Sequence, residues 1–456
     1  MRQSTDGLAV PQRYWAILTI GLGLTMAVLD GAIANVALPT IARELNTSPA
    51  ASVWVVNAYQ LAVTVSLLPF ASLGDIVGYR RVYQAGLVVF TLASLFCARA
   101  DSLTTLALAR MIQGFGASGV MSVNTALIRF IYPRRMLGTA MGVNALLVAV
   151  SSAVGPTVAS GILAVAPWQF LFYVNVPIGL AALGLGLRTL PDTGRAARRF
   201  DFTSALLNAV TFGVLIVAID GLGQNANRAL VTGALLVAAG AGWLLVRRQL
   251  ARSNPLLPVD LLRIPVFALS IATSICSFAA QTLAYVSLPF YLQDALGRSQ
   301  VETGLLMTPW PLTVAVVAPI AGRLSDRYPP GMLGGIGLIT LAAGLVLLAA
   351  LPAHPATPDI VWRMVVCGFG FGLFQTPNNR AMIGASPPSR SGAAGGMLST
   401  ARLLGQTSGA AMVAVILGFI PARGTTATLL VGAAFATAAA GVSLLRLRQR
   451  KPLAAE

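Results

Sequence analysis

Runs of about twenty apolar residues recur along the whole chain and are separated by short polar segments. A helix of that length crosses the hydrocarbon core of a bilayer, because it bonds every backbone polar group internally. Only 10% of the residues are charged, whereas a soluble domain carries about 25%. The chain is therefore predicted to be an all-α integral membrane protein rather than a soluble globular one.

The apolar runs predict fourteen transmembrane helices, and an even number places both termini on one side of the membrane. The first run is longer than the apolar part of a signal peptide and continues through Asp30, so we expect it to stay as the first span. The predicted spans cover residues 14–38, 52–73, 82–98, 104–126, 137–163, 168–187, 203–221, 229–246, 266–292, 302–322, 331–351, 360–384, 393–418 and 424–446.

The basic residues are distributed unevenly between the two sides of the membrane. With the N-terminus inside, 23 of the 31 Lys and Arg residues fall in cytoplasmic segments and six in outer loops. Positive residues collect on the cytoplasmic side, so both termini are predicted to be cytoplasmic. The net charge of +17 follows from this topology. No basic run is interleaved with aromatic residues, and a nucleic-acid partner is not expected.

The first half of the sequence returns in weaker form in the second half, at an offset between 250 and 255 residues. Such a repeat indicates a duplicated unit. Spans 1–6 map onto spans 9–14, and spans 7 and 8 belong to neither half. The matched strings are "SLGDIVGYR" (72–80) with "RLSDRYPPG" (323–331), "RMIQGFG" (110–116) with "RMVVCGFG" (363–370), and "NTALI" (124–128) with "NRAMI" (379–383).

The repeat predicts a three-part domain plan. Residues 1–187 form an N-terminal six-helix bundle, and residues 266–456 form a C-terminal six-helix bundle. Residues 188–265 hold a basic linker, "RTLPDTGRAARRFD" (188–201), and the inserted helix pair. Two bundles related by a pseudo-twofold axis along the membrane normal are the architecture of many secondary transporters.

Several strings in a fixed order resemble the major facilitator superfamily, and more closely its fourteen-span drug:proton antiporter branch. The resemblance covers nearly the whole chain and implies a multidrug efflux transporter of the inner (cytoplasmic) membrane. It implies a small-molecule substrate, protons and membrane lipids as partners, a functional monomer, and no cofactor beyond the proton gradient. The strings are "LDGAIANVALP" (29–39), "SLGDIVGYRR" (72–81), "LARMIQGFGASG" (108–119), "SSAVGPTVASG" (151–161) and "WQFLFYVNVPIG" (168–179).

Two charged residues lie inside predicted spans of the first bundle. Asp30 is about 8 residues, or roughly 12 Å, from the outer end of span 1, and Arg110 is roughly 9 Å from the outer start of span 4. Charges at such depths by default mark a functional site, and we predict that this pair couples transport to protons. A purely structural ion pair is the alternative. Asp30 has no acidic counterpart, since Ala280 or Gln281 takes its place in the second half.

The loop between spans 2 and 3 is predicted to act as a conformational latch. Gly78 permits a tight turn, Asp75 can face the positive end of a neighbouring helix, and Arg80 and Arg81 can hold carboxylates or lipid phosphates. The alternative is that these residues only anchor the topology.

Span 5 is predicted to bend at Pro156, which removes a helical hydrogen bond. Gly155 and Gly161 would let another backbone approach closely. The segment of span 5 resembles the antiporter motif, and the matching segment of span 13 has no proline, so the bend is expected only in the first half. An ordinary transmembrane proline is the alternative.

Further polar and aromatic residues within the spans are candidates for a central substrate cavity, where aromatic faces would suit planar or cationic ligands. For any one of them, helix packing is the competing role. Arg402, unmatched in span 5, would counter an acid, bind an anionic substrate or line the cavity. The candidates are Asn35, Trp54, Asn57, Tyr59, Asn144, Phe278, Gln281, Gln375, Asn378 and Arg402.

These features predict proton-driven export of small amphipathic or cationic compounds by alternating access. Burial disfavours the charged form of a carboxyl and a nearby cation favours it, so a changed contact with Arg110 would switch the protonation of Asp30. An exporter of one metabolite and a nutrient symporter or uniporter are alternatives of the same fold. A membrane enzyme is disfavoured, because no paired carboxylates, nucleophile–base set or metal-ligand cluster is visible. His354 stands alone, and the three cysteines lie in apolar segments.

Overall fold

A computed structural model describes residues 7–193, 200–223, 227–252, 255, 257–387, 390–420 and 423–448. Within these residues every regular element is helical, and residues 194–199 of the predicted linker lie outside them. The α-helices are α1 (Gln12–Glu44), α2 (Pro49–Ser52), α3 (Trp54–Val77), α4 (Tyr79–Ala98), α5 (Leu103–Ile131), α6 (Leu137–Leu163), α7 (Phe170–Tyr173), α8 (Asn175–Thr189), α9 (Phe202–Gly223), α10 (Arg228–Leu250), α11 (Pro265–Phe290), α12 (Gln300–Met307), α13 (Pro309–Leu324), α14 (Pro330–Ala349), α15 (Thr357–Ala385), α16 (Ser391–Phe419) and α17 (Gly424–Leu445).

These helices confirm the predicted fold class of an all-helical, multi-pass membrane protein. In the described part of the chain, 12 spans are long and apolar enough to cross a membrane. Three of these join two helices each, namely α2 with α3, α7 with α8, and α12 with α13. The helices α6 and α15, with 27 and 29 residues, also exceed the length that a bilayer requires.

Several helices are longer than the apolar runs from which they were predicted. The helix α1 covers Gln12–Glu44 instead of 14–38, and α5 covers Leu103–Ile131 instead of 104–126. Apolar runs report the part of a helix that lies in lipid, whereas backbone bonding continues until a cap ends it. At the start of α5, the Ser102 and Thr105 side chains each bond the other's backbone N–H in a capping box.

The predicted repeat is visible in how the helices pack. Helices α4 and α5 approach closely because both carry glycines, and a Cβ at Gly86 would lie 2.8 Å from the carbonyl oxygen of Gly116. Helices α14 and α15 repeat the contact, where a Cβ at Gly337 would lie 2.6 Å from the oxygen of Gly370. Each close approach needs a residue without a side chain. Because the two contacts are equivalent, they show which residue of the first half corresponds to which residue of the second half.

This register corrects one match made from the sequence. Helices α5 and α15 both have 29 residues, and each residue of α5 corresponds to the residue 254 positions later. Asn124 therefore corresponds to the buried Asn378 and not to Asn379, which the string match paired with it. The echo of "RMIQGFG" contains one extra residue, so Arg110 corresponds to Met364 rather than Arg363.

The helices form two compact units. One unit comprises Met1–Leu245 and Arg298–Leu305, and the other comprises Val246–Gly297 and Leu306–Glu456. The inserted helix α9 and most of α10 therefore fall in the first unit. The predicted three-part domain plan remains a prediction. In the first unit α1 packs against α6 and α8, and α5 packs against α3 and α4; in the second, α11 packs against α16 and α17, and α15 against α13 and α14.

Candidate functional site

A buried ion pair joins α1 to α5 in the first unit. Arg110 Nη1 donates to Asp30 Oδ2, and the side chains are 0% and 1% exposed. Asp30 lies in the middle part of α1, and Arg110 lies in the second turn after the start of α5, both in mainly apolar segments. The structure thus brings together the two charged residues that the sequence analysis placed in one bundle.

The guanidinium of Arg110 is enclosed by backbone and aromatic groups. Its Nε atom donates to the carbonyl oxygen of Val55 at 2.9 Å. The Tyr59 ring lies 4.3 Å and the Phe172 ring 5.5 Å from its Cζ atom, distances at which a ring face attracts a cation. Tyr59 is held in turn by its hydroxyl, which donates to the carbonyl oxygen of Ala27 at 2.9 Å.

The carboxylate of Asp30 is bound by two amides in addition to Arg110. Its Oδ1 atom accepts from Gln113 Nε2 at 3.0 Å and from Asn175 Nδ2 at 2.7 Å. Gln113 also accepts from Arg110 Nη1 at 2.6 Å and donates to Ser94 Oγ at 2.9 Å. Side chains from α1, α4, α5 and α8 therefore meet in one network around a single carboxylate.

This network can respond to a single proton. The ionised carboxylate only accepts hydrogen bonds, whereas a protonated carboxyl carries a donor. Protonation of Asp30 would remove the counter-charge of Arg110, and a buried charge without its partner is strongly destabilising. The Nη2 atom of Arg110 is buried without a hydrogen-bond partner among the described residues. A proton on Asp30 would thus leave the guanidinium of Arg110 buried without its counter-charge.

Sequence reasoning missed Gln113, Asn175, Ser94 and Phe172. Gln113 could have been predicted from the sequence, because it follows Arg110 by three positions and so lies on the same face of the helix. Asn175 stands among apolar residues in the second half of the string "WQFLFYVNVPIG", which was quoted for its resemblance alone. Ser94 carries no comparable signal, because a serine in a helix commonly bonds to its own backbone.

The depth of Asp30 was predicted from the outer end of span 1, whereas helix α1 extends beyond that end. Helix α1 continues to Glu44, so Asp30 lies 14 residues before its end, or about 21 Å along the helix. Arg110 is 7 residues past the start of α5, or about 10 Å. The ion pair depends on where α1 and α5 cross. The ends of the apolar runs in the sequence do not give that crossing point.

The predicted latch residues lie around a tight turn that requires glycine. Gly78 separates α3 from α4 with φ +101°, a conformation that residues with a side chain rarely adopt. The next residue, Tyr79, donates its backbone N–H to Thr193 Oγ1 at 2.9 Å and its hydroxyl to Asp75 Oδ1. Asp75 therefore ties the end of α3 to the first turn of α4.

The two arginines of this loop have different surroundings. Arg80 Nη2 donates at 2.5 Å to the carbonyl oxygen of Leu187, in the last turn of α8 where carbonyls lack helical partners. Arg81 is exposed and lines an apolar groove of about 260 Å³ together with Phe70 and Phe115. These contacts lie within the first unit, and a latch between the units remains a prediction.

The predicted bend of span 5 falls in α6, which continues through Pro156. At Gly155 the helix approaches α1 closely, and a Cβ there would lie 2.6 Å from the Cβ of Ala32. Ser160 bonds back to the carbonyl oxygen of Pro156 at 3.0 Å. Gly161 has open space around it, so the close contact expected at this glycine is absent from the described residues.

The cavity candidates of the first unit differ in their partners. Asn35 is buried and donates to the carbonyl oxygen of Gly31 at 3.4 Å. Asn57 is fully buried, and neither polar side-chain atom has a partner among the described residues. Asn144 accepts from Asn124 at 2.7 Å, which links α6 to α5. Tyr59 belongs to the Arg110 network, and Trp54 is half-buried.

Two candidates of the second unit belong to packed or bonded clusters. Phe278 packs edge-on against Phe371, with ring centroids 5.3 Å apart. Asn378 donates to Ser274 Oγ at 2.8 Å and accepts from Arg446 Nη1 at 2.7 Å. These contacts join each side chain to its neighbours within the second unit, and a role in a substrate cavity stays a prediction. The half-buried candidates are Gln281, Gln375 and Arg402.

No cluster of three or more His, Cys, Asp or Glu side chains that would hold a metal occurs among the described residues.

Multiple apolar spans, a packing pattern repeated in two units and a buried ion pair in one of them define a transporter-like helical membrane protein. A family model described as Major Facilitator Superfamily matches residues 20–410. The chain therefore belongs to the major facilitator superfamily of transporters.

Several relatives extend over most of the chain. The chain is 59% identical over 446 residues to the uncharacterized transporter YebQ of Escherichia coli (strain K12), covering 97% of this chain and 98% of the relative. It is 31% identical to the riboflavin transporter RibZ of Clostridioides difficile (strain 630), covering 88% and 87%. It is 34% identical to the multidrug resistance protein Stp of Mycobacterium tuberculosis (strain CDC 1551 / Oshkosh), covering 91% and 76%.

The fold also matches a solved structure. A bacterial homologue of the human lysosomal transporter Spinster, in an inward-facing and unoccupied conformation, superposes with a TM-score of 0.70. The match covers 98% of this chain and 100% of that one, at 16% sequence identity. At this identity the likeness concerns the fold alone.

Proposed function

We propose that the chain is a proton-coupled exporter of small amphipathic or cationic compounds, of the fourteen-span drug:proton antiporter type. The observation that carries the proposal is the network of Asp30, which holds a buried carboxylate against a buried arginine between two helices. Ionisable groups inside a membrane commonly mark proton or ion pathways. The proton gradient would supply the energy, and no cofactor would be required.

The proposed cycle uses the two protonation states of Asp30. In the deprotonated state the carboxylate binds Arg110 and holds α1 against α5. A proton entering from outside neutralises Asp30 and releases Arg110, which favours the alternative arrangement of the helices. Release of the proton inside restores the ion pair. A substrate that favours the deprotonated state would then move outwards in exchange for protons by alternating access.

The similarity to Stp, named a multidrug resistance protein, supports the export of many compounds. The similarity to RibZ, named a riboflavin transporter, supports a second candidate, a transporter dedicated to one planar metabolite. Both candidates use the same Asp30 network, and they differ in the ligands accepted. A nutrient symporter or uniporter remains the third possibility for this fold.

The proposed location is the inner membrane, with both termini in the cytoplasm. The support is the excess of Lys and Arg in the segments assigned to that side and the bacterial origin of the relatives. We propose that a single chain is the transporting unit. Protons and membrane lipids are the remaining proposed partners.

Export by purified protein in proteoliposomes tests the proposal. A pH gradient is imposed across the vesicle, and the uptake of ethidium and of riboflavin is measured together with internal pH. Asp30→Asn keeps the size of the side chain but cannot gain or lose the transported proton. We expect this variant to lose gradient-driven transport of any compound that the unaltered protein moves, and to lose the accompanying proton flux.

A matched control is available in the second unit. Asp359→Asn removes another acidic member of an ion pair, here with Arg363 one helical turn away, and should transport normally. Asp30→Asn protein that transports at the unaltered rate under the same gradient refutes proton coupling at Asp30. Transport of riboflavin alone would favour the dedicated transporter over the multidrug exporter.

A further inference from the structure

The inserted helix α9 carries one buried amide at a position where amides are costly in a membrane protein. Asn208 is 1% exposed, although most apolar residues of α9 are only partly buried or exposed. Its Nδ2 atom donates at 2.9 Å to the carbonyl oxygen of Val65 on α3. This bond connects a helix outside the repeated plan to one of the six helices of the first unit.

The carbonyl of Val65 lacks its usual donor within α3. In an α-helix the carbonyl of residue 65 accepts from the N–H of residue 69. Residue 69 of α3 is a proline, which has no N–H. In a bilayer an unpaired carbonyl costs several kcal/mol, and a neighbouring helix is one source of the missing bond. Asn208 therefore supplies the hydrogen bond that Pro69 removes.

We infer that α9 is an interaction partner of α3 docked at its proline, and that Asn208 is the positioning residue of this interface. The hydrogen bond from Asn208 meets α3 between two segments that matter for the proposed transport function. Before Pro69 lies the segment with Val55 and Tyr59, which enclose Arg110. After it lies the turn at Gly78. Asn208 thus fixes the direction of α3 between the Arg110 network and the loop that follows the helix.

A double-mutant cycle tests the inference. Asn208→Leu keeps the volume and removes the donor, so the carbonyl of Val65 loses its partner. Pro69→Ala restores the N–H of residue 69 and with it the bond within α3. We expect Asn208→Leu to lower the unfolding temperature by a few degrees in the unaltered protein, and to have almost no effect when Pro69→Ala is present.

Thr211→Val is the matched control. Thr211 lies on the same helix, and its hydroxyl bonds within α9 to the carbonyl oxygen of Leu207 at 2.7 Å. Its replacement should lower the unfolding temperature equally with and without Pro69→Ala. An equal effect of Asn208→Leu in the two backgrounds would overturn the inference, since Asn208 would then act by packing alone.

A spectroscopic measurement keeps the inference testable if Pro69→Ala does not fold. Valine labelled with ¹³C at the carbonyl and serine labelled with ¹⁵N give peaks only from Val-Ser pairs, of which the sequence has four, including Val65–Ser66. Loss of a hydrogen bond moves a carbonyl ¹³C resonance upfield. We expect Asn208→Leu to move the Val65 peak, and Asn208→Gln to leave it closer to its original position. An unmoved Val65 peak in Asn208→Leu would overturn the inference.

Discussion

The two units repeat one packing pattern but differ in the chemistry at the same place within it. In the first unit this place holds Asp30, Arg110 and Gln113 in a network of hydrogen bonds. In the second unit the register fixed by the glycine contacts puts Met364 in place of Arg110 and Cys367 in place of Gln113. Both replacements are buried.

Two further positions of the network, those of Ser94 and Asp30, also have apolar counterparts in the second unit. Leu345, fully buried, corresponds to Ser94 through the offset of 251 that relates Gly86 to Gly337. Ala280 corresponds to Asp30 through the offset of 250 that relates Pro39 to Pro289. The second unit therefore builds the same helix contacts without charges. The comparison teaches that this type of packing occurs without an ion pair, which supports the proposed role of the pair in transport.

The largest effect should come from breaking the pair from one side. Asp30→Ala leaves Arg110 buried and without its counter-charge, which costs about 3–5 kcal/mol. We expect this variant to unfold at a much lower temperature than the unaltered protein in detergent. An unfolding temperature within 1–2 °C of the original, about the shift of a surface substitution, would contradict the assigned role of the pair.

A smaller effect should be common to both units. Gly116→Ala and Gly370→Ala place a methyl group against the backbone of α4 and α14 respectively, and overpacking of this kind costs up to about 3 kcal/mol. We expect similar losses of unfolding temperature in the two variants, because the two contacts are equivalent. Destabilisation of only one variant would show that the units do not share this packing.

The second unit has a buried cation of its own, Arg446, which the sequence analysis did not single out. Arg446 lies just past α17 and bonds to neutral groups, namely Ser270 Oγ at 2.9 Å, Asn378 Oδ1 at 2.7 Å and Ser443 Oγ at 2.6 Å. Burial lowers the pKa of Arg446 to about 10, so it stays protonated at neutral pH.

Arg446→Met should cost about 2 kcal/mol through the buried acceptors left unpaired. The lowered pKa makes stability rise with pH only between about 10 and 12.5, because the unfolded chain binds the proton more tightly there. The difference in unfolding temperature between variant and unaltered protein should therefore be constant from pH 6 to pH 8. Thermal unfolding at several pH values checks this, and a difference that varies in that range would contradict the bonding described.

The smallest effect is expected for an exposed ion pair of the second unit. Asp326 pairs with Arg380, and their side chains are 60% and 55% exposed. Such pairs contribute at most about 1 kcal/mol. Asp326→Asn should lower the unfolding temperature by less than any variant above, and the difference should vanish at high salt. A loss as large as that of Asp30→Ala would remove the distinction between buried and exposed pairs.

The helical membrane fold and the duplication followed from the sequence, because runs of apolar residues and a constant offset are properties of the sequence itself. Asp30 and Arg110 stood out because charges in apolar runs are rare. Asn175 and Gln113 did not, since an amide in a span is as often a packing residue as part of a site. Their role depends on how α8 and α5 cross α1, which no local pattern encodes.

The matched strings aligned the two halves of the sequence with an error of one residue. A single extra residue in "RMVVCGFG" moves Arg363 off the position of Arg110, and only the contacts of Gly116 and Gly370 show which residue replaces it. Asn208 lies in the inserted helix pair and was not among the residues singled out from the sequence. Its significance depends on Pro69, more than a hundred residues earlier, and so on tertiary contact.

The central claim is that the charged network serves transport and not the fold. The most direct measurement gives the first unit the residues of the second, by Asp30→Ala together with Arg110→Met, and follows both unfolding and pH-driven export in proteoliposomes. We predict that the double variant unfolds at a higher temperature than Asp30→Ala alone, because no buried charge is left unpaired, and that it exports nothing under the gradient. Export by the double variant at the unaltered rate would contradict the claim.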